Sequence, residues 1–153
     1  MELVLSAFAN IHRIEPTEAV ELDTLVAGKF RPEQIRAAFT VHLSTNFGNS
    51  HRMLMVVPRS YPHRPPVLYL LTHLPGPYKI AHIYGDDGRC CLFERIGRDW
   101  DPKECNLITA VGWGAMWLFC QEFFQRKGYW PAPESHKAKP VRRTQPWDAR
   151  RRR

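Results

Sequence analysis

The chain is short of the features that mark membrane and disulfide-stapled secreted proteins. No apolar run approaches the roughly 18 to 20 residues that span a bilayer. The longest candidate, residues 107–120, runs into Gln121 and Glu122. Residues 1–9 contain an apolar run but have neither the basic flank nor the cleavage site of an export signal. There are only four cysteines, Cys90, Cys91, Cys105 and Cys120, and no CxxC pair, so free thiols are expected in place of a disulfide framework. The adjacent Cys90 and Cys91 cannot easily aim both sulfurs at one tetrahedral ion, and the histidines are not spaced as partners, so neither a metal nor a cofactor is expected. Together these absences predict a soluble, cytoplasmic protein that works without a membrane.

Negative charge is scarce only at one end. The net charge is +7, and residues 137–153 carry eight Lys or Arg against the single Asp148, so everything before them is formally neutral. Residues 1–136 therefore read as one domain, of a length that supports a single core, and residues 137–153 as a basic tail expected to be solvated and disordered. Such a tail can grip phosphates, but a nucleic-acid partner rests on nothing else in the chain and is not expected.

Residues 1–14 read as a short amphipathic helix, with Leu3, Leu5, Phe8 and Ile11 to one side and Pro16 ending it. Strands are expected over residues 25–30, 39–44, 53–57 and 67–71, joined by Gly- and Pro-bearing turns with no helix between them, which predicts an antiparallel meander. Residues 72–105 hold no period and read as a long functional loop. Asp101-Pro102 and then Asn106 look like helix starts, and residues 107–127 form a helix apolar around much of its circumference, closed by Gly128. Trp113 and Trp117 sit at helical spacing and are assigned to the core. The fold class is α+β: a four-stranded antiparallel sheet, a long loop and a packed C-terminal helix.

The loop concentrates the chemistry. Cys91 follows the Gly88 turn, with His82 nine residues earlier, the layout of a surface nucleophile built by irregular backbone. Adjacent residues of an extended segment point to opposite sides, so only one of Cys90 and Cys91 can face a site. Cys90 is expected to be a small hydrophobe, and Cys105 and Cys120 core residues. Asp99, Trp100 and Asp101 follow the nucleophile by eight to ten residues, where an acid can approach an attacking amine or simply cap the next helix.

The order of a strand, Tyr61-Pro62-His63-Arg64-Pro65-Pro66, a second strand, a His-bearing loop, Gly88-Arg89-Cys90-Cys91-Leu92 and Trp100 before helices resembles that of ubiquitin-conjugating (E2) enzymes. Ala81-His82-Ile83-Tyr84, Cys91-Leu92-Phe93, the Trp100-Asp101-Pro102 turn, the Trp-rich helix and Gly128-Tyr129-Trp130-Pro131 with His136 are more narrowly similar to the bacterial E2-like proteins of type II CBASS antiphage systems. The resemblance covers residues 25–136. It implies a ubiquitin-conjugating-enzyme-like fold in which Cys91 accepts an acyl group as a thioester and passes it on. It implies as partner the C-terminus of a cyclic-oligonucleotide synthase (CD-NTase), with any activating enzyme acting in trans. Where eukaryotic relatives carry His-Pro-Asn, with the Asn holding the oxyanion, this chain has Ile83 and Tyr84. The resemblance therefore implies His82 as organiser of the loop and Tyr84 as a hydroxyl donor, with Asp99, Trp100 and Asp101 as weaker candidates for positioning the substrate. The alternative from another class is a catalytically silent adaptor that keeps the fold and binds a protein tail.

Overall fold

The computed structural model describes residues 9–18, 31–84, 88–92, 99–132 and 140–143. Four strands, β1 (Ala9–Pro16), β2 (Ile35–Thr45), β3 (Ser50–Pro58) and β4 (Val67–Leu70), pair in chain order and antiparallel throughout, and helix α1 (Leu107–Lys127) packs on them. The meander and the long helix are where the hydrophobic pattern placed them.

The first strand is not. Residues 9–14 are strand, not helix, while the strand expected over residues 25–30, and Leu3, Leu5 and Phe8 of the expected helix, lie outside the described residues. The physical reason is a register shift: Ile11 faces Leu43 but Arg13 faces His42, so one residue of β1 bulges. A bulge interrupts strict alternation and leaves apolar residues three apart, which imitates helical spacing. Opposite it, β1 is fixed by polar cross-strand contacts, His12 to Ser44 at 2.7 Å and Glu15 to His42 at 2.9 Å.

β3 is central and buried on both faces, which explains its unbroken run from Met53 to Val57. Met53 and Met55 join Val41, Leu43 and Leu68 beneath Ala110, Val111, Ala115 and Leu118 of α1, while Leu54 and Val56 pack with Ala38 and Tyr69 on the other side. The helix starts where a capping box closes: the Asn106 side chain accepts from the Thr109 amide, and the Thr109 hydroxyl accepts from the Asn106 amide, both at 3.1 Å. It ends at Gly128, whose φ of 79° a residue without Cβ adopts freely. The further helix start expected at Asp101-Pro102 is only a turn over residues 102–104. α1 is long and apolar enough to cross a membrane, yet its Gln121, Glu122 and Gln125 are all buried within the protein, as befits a core helix.

Those three polar residues tie the helix to its surroundings. Glu122 accepts from His51 Nε2 at 2.8 Å and from Asn49 Nδ2 at 2.9 Å, and His51 Nδ1 meets the Thr72 hydroxyl at 2.7 Å. Gln125 takes both backbone groups of Tyr78, donating to its carbonyl at 2.8 Å and accepting from its amide at 2.9 Å. Gln121 does the same to Ala81.

The segment expected to be solvated is tied down at residues 140–143. The Lys79 amide donates to the Val141 carbonyl and the Arg143 amide to the Pro77 carbonyl, both at 2.7 Å, and the Arg143 guanidinium reaches the carbonyls of Tyr78 and Leu74. Main-chain pairing along an extended edge needs no apolar side chain, so composition alone did not reveal it.

Two outcomes follow. Gly76 has a φ of 143°, and a methyl group there would collide with the Gln125 side chain. Gly76→Ala should therefore disengage Gln125 from Tyr78 and lower stability by about 2 to 3 kcal/mol, read as a shifted urea midpoint. Burial raises the Glu122 carboxyl, but the hydrogen bonds from His51 and Asn49 outweigh it and hold the group below its ordinary 4.5. Its contribution is thus complete above that value and is lost as pH falls through the lower folded value, so the fall in urea midpoint from about pH 5 to about pH 2 should be smaller in Glu122→Gln than in the wild type.

Candidate functional site

The loop that carries Cys91 is built on backbone. Residues 78–82 run extended beside α1, held by Gln125, Gln121 and the Trp117 indole, whose Nε1 donates to the His82 carbonyl at 2.9 Å. The same carbonyl accepts from the Cys91 amide at 2.9 Å. Ile83 and Cys90 form an antiparallel bridge, the Tyr84 amide donates to the Arg89 carbonyl at 2.9 Å, and the Gly88 amide donates to the Tyr84 carbonyl. Gly88, with φ of 79°, supplies the left-handed residue the reversal requires.

This small hairpin separates the two thiols. The Cys90 amide donates to the Leu68 carbonyl of β4 at 2.8 Å, and the Cys90 side chain is buried in the core beside Trp117 and Leu118. Burial pushes the Cys90 thiol far up, which leaves it un-ionised and unreactive. Cys91, one residue on, is half-exposed. Cys120 is buried as expected, its thiol pushed up by burial to about 11, while Cys105 is half-buried at the edge of the core.

Tyr84 stands beside Cys91. Its phenol is held above the ordinary range, first by burial and then by the neighbouring Cys91, against the opposing Arg89. At neutral pH the hydroxyl is therefore protonated and able to donate. The Arg89 guanidinium lies over the Tyr84 ring, 5.0 Å from its centre.

His82 lies at a φ of 49°, uncommon for a residue other than glycine. Its ring packs on Trp130 with centroids 4.2 Å apart, and it is its carbonyl that ties it to both Cys91 and α1. Trp100 is fully buried, donates from Nε1 to the Pro62 carbonyl at 2.8 Å and packs on Tyr61 and Trp113, so it anchors the proline crossover. The Asp101 carboxylate accepts from the Lys103 amide at 2.9 Å and its carbonyl from those of Glu104 and Cys105, so it caps the turn. Asp99 is exposed. Phe93, Arg95, Arg98 and His136 lie outside the described residues. Among the described residues no group of three His, Cys, Asp or Glu side chains is placed to hold a metal ion.

Sequence reasoning passed over Gln121 and Gln125. The two glutamines carried a readable signal: primary amides four apart in an otherwise apolar helix must find partners when buried.

An α+β domain whose central helix grips the loop of a partly exposed cysteine defines a cysteine-presenting protein. The particular kind follows from a family model described as type II CBASS E2 protein, which matches residues 7–137; the chain belongs to that family. The family is of conjugating type and serves antiviral defence. Neither curated proteins nor solved structures gave a match.

The accessibility difference has a direct consequence. Iodoacetamide should modify Cys91 in the folded protein while Cys90 is modified only after urea unfolding, as read by peptide mass mapping; faster labelling of Cys90 would reverse the assignment.

Proposed function

We propose that this protein is an E2-like cysteine acyltransferase whose Cys91 carries the C-terminus of a cyclic-oligonucleotide synthase as a thioester. The single observation behind this is that, of the adjacent thiols, Cys90 is sealed in the core and Cys91 is half-exposed. Thiolate chemistry suits the task because sulfur attacks a carbonyl well and later leaves well.

In the first step the Cys91 thiolate attacks the synthase's C-terminal carbonyl, already activated as a thioester on an activating enzyme acting in trans. The new C–S bond forms, the activating enzyme's thiolate leaves, and Tyr84 donates to the oxyanion between them. In the second, an amine of the target attacks the Cys91 thioester, an amide forms and the Cys91 thiolate departs while the amine's proton passes to solvent. His82 acts here as organiser of the loop, through its carbonyl and its ring on Trp130. Asp99, which is exposed, is the acidic candidate for positioning the incoming amine. The cytoplasm, where synthase and target would be met, is the setting.

Mixing the protein with the synthase, its activating enzyme and ATP should yield an adduct of the summed masses of protein and synthase less one water, released by thiol reductant. Cys91→Ser should give a reductant-resistant ester, Cys91→Ala no adduct, and Cys90→Ala an adduct like that of the wild type. An adduct that survives Cys91→Ala, or noncovalent binding of the synthase tail with no adduct in the wild type, overturns the proposal; the latter is the outcome for a silent adaptor.

A further inference from the structure

The Arg89 side chain has no place in the mechanism above, yet it lies against the ring of Tyr84, the neighbour of Cys91. In the antiparallel register set by the Ile83–Cys90 bridge, Tyr84 stands opposite Arg89, and Cys91 follows Arg89 by two residues on the same face. The main chain of Arg89 already fixes Tyr84 through the 2.9 Å amide to carbonyl bond, so the hairpin does not need the guanidinium to form. What the guanidinium adds is a cation over the ring face, 5.0 Å from its centre.

A cation there is attracted to the electron-rich face of a phenol, restricts the ring's rotation and draws electron density away from the hydroxyl. An electron-poorer hydroxyl is a stronger hydrogen-bond donor. The charge and the hydroxyl therefore act in series: arginine on ring, ring hydroxyl on sulfur.

We propose that Arg89 is a positioning residue for Cys91 that acts through Tyr84, holding and polarising the phenol so that its hydroxyl donates to the thiolate and then to the oxyanion formed on attack. The proposal rests on the reading of Cys91 as nucleophile and names the group that prepares it.

The test uses the full chain and needs no partner protein. The rate of Cys91 alkylation by iodoacetamide at neutral pH is measured by mass mapping in the wild type, Tyr84→Phe, Arg89→Gln, Arg89→Lys and the double variant Y84F/R89Q. Protection of Cys90 in the same samples reports that each variant is folded. Because a thiol of higher pKa yields a more nucleophilic thiolate, a ten-fold loss of thiolate slows alkylation only about three-fold. Tyr84→Phe and Arg89→Gln should each show a slowing of about that size, the double variant should be no slower than the slower single, and Arg89→Lys, which keeps the cation, should recover part of the rate.

Unchanged alkylation in Arg89→Gln overturns the proposal. So does a double variant slowed by the product of the two single effects, since Arg89 would then act on the sulfur independently of Tyr84. A non-additive cycle in a protein that forms no synthase adduct sustains Arg89's role while removing the acyl-transfer reading.

Discussion

Three side chains on one helix decide where the loop goes. Trp117, Gln121 and Gln125 lie at intervals of four residues, one stripe of α1, and each hydrogen-bonds backbone in residues 78–82. Eight helical residues rise about 12 Å, and an extended chain covers about 13 Å in four residues, so the two match in length. The helix presents to the loop what a neighbouring β-strand would present: donors and acceptors in alternation. A loop without regular partners is thereby given a fixed path, and Cys91 inherits it through the His82 carbonyl, which accepts from Trp117 and from Cys91 together.

Burial makes this grip strong. Gln121 is fully buried and Gln125 nearly so, and an amide left unpaired there would cost its full desolvation, about 1 to 3 kcal/mol. The loop's own amides and carbonyls face the same cost if they pull away. Each side thus holds the other, and the cost of separating them is roughly the sum over several bonds that must break together. Glu122, between the two glutamines in sequence, turns away from the loop to His51 and Asn49, so one turn of helix binds the sheet on one side and the loop on the other. The helix is the common support, which is why a single apolar element carries three buried polar residues in its last two turns.

How much of this could be read from the residues differs by layer. Strands β2, β3 and β4 and helix α1 were legible because their periods are long and undisturbed, and Asn106 and Gly128 marked the helix ends by their cap chemistry. β1 was misread because a bulge removes the alternation on which the reading relies. Cys91 stood out by its neighbours in the chain, and Cys90's burial followed from simple alternation. The surroundings of Trp100 were hidden for a different reason: it sits in a polar loop, and only the tertiary path shows Pro62 and Trp113 closing over it. Residues 140–143 were illegible in principle, since their bonds are to main chain and any sequence with an extended backbone can make them.

The placement of Arg89 follows from the same geometry. A hairpin whose inward residue is Cys90 must turn its neighbours at 89 and 91 outward, so the demand that one cysteine be buried is what brings arginine and thiol to a single face. Tyr84, paired across the turn with Arg89, is brought there by the same register. The packing of Cys90 under β4 and the exposure of Cys91 are therefore not separate facts. Substituting a larger residue at position 90 would strain the core and at the same time rotate Tyr84, Arg89 and Cys91 together, because one peptide plane carries the core on its near side and the chemistry on its far side.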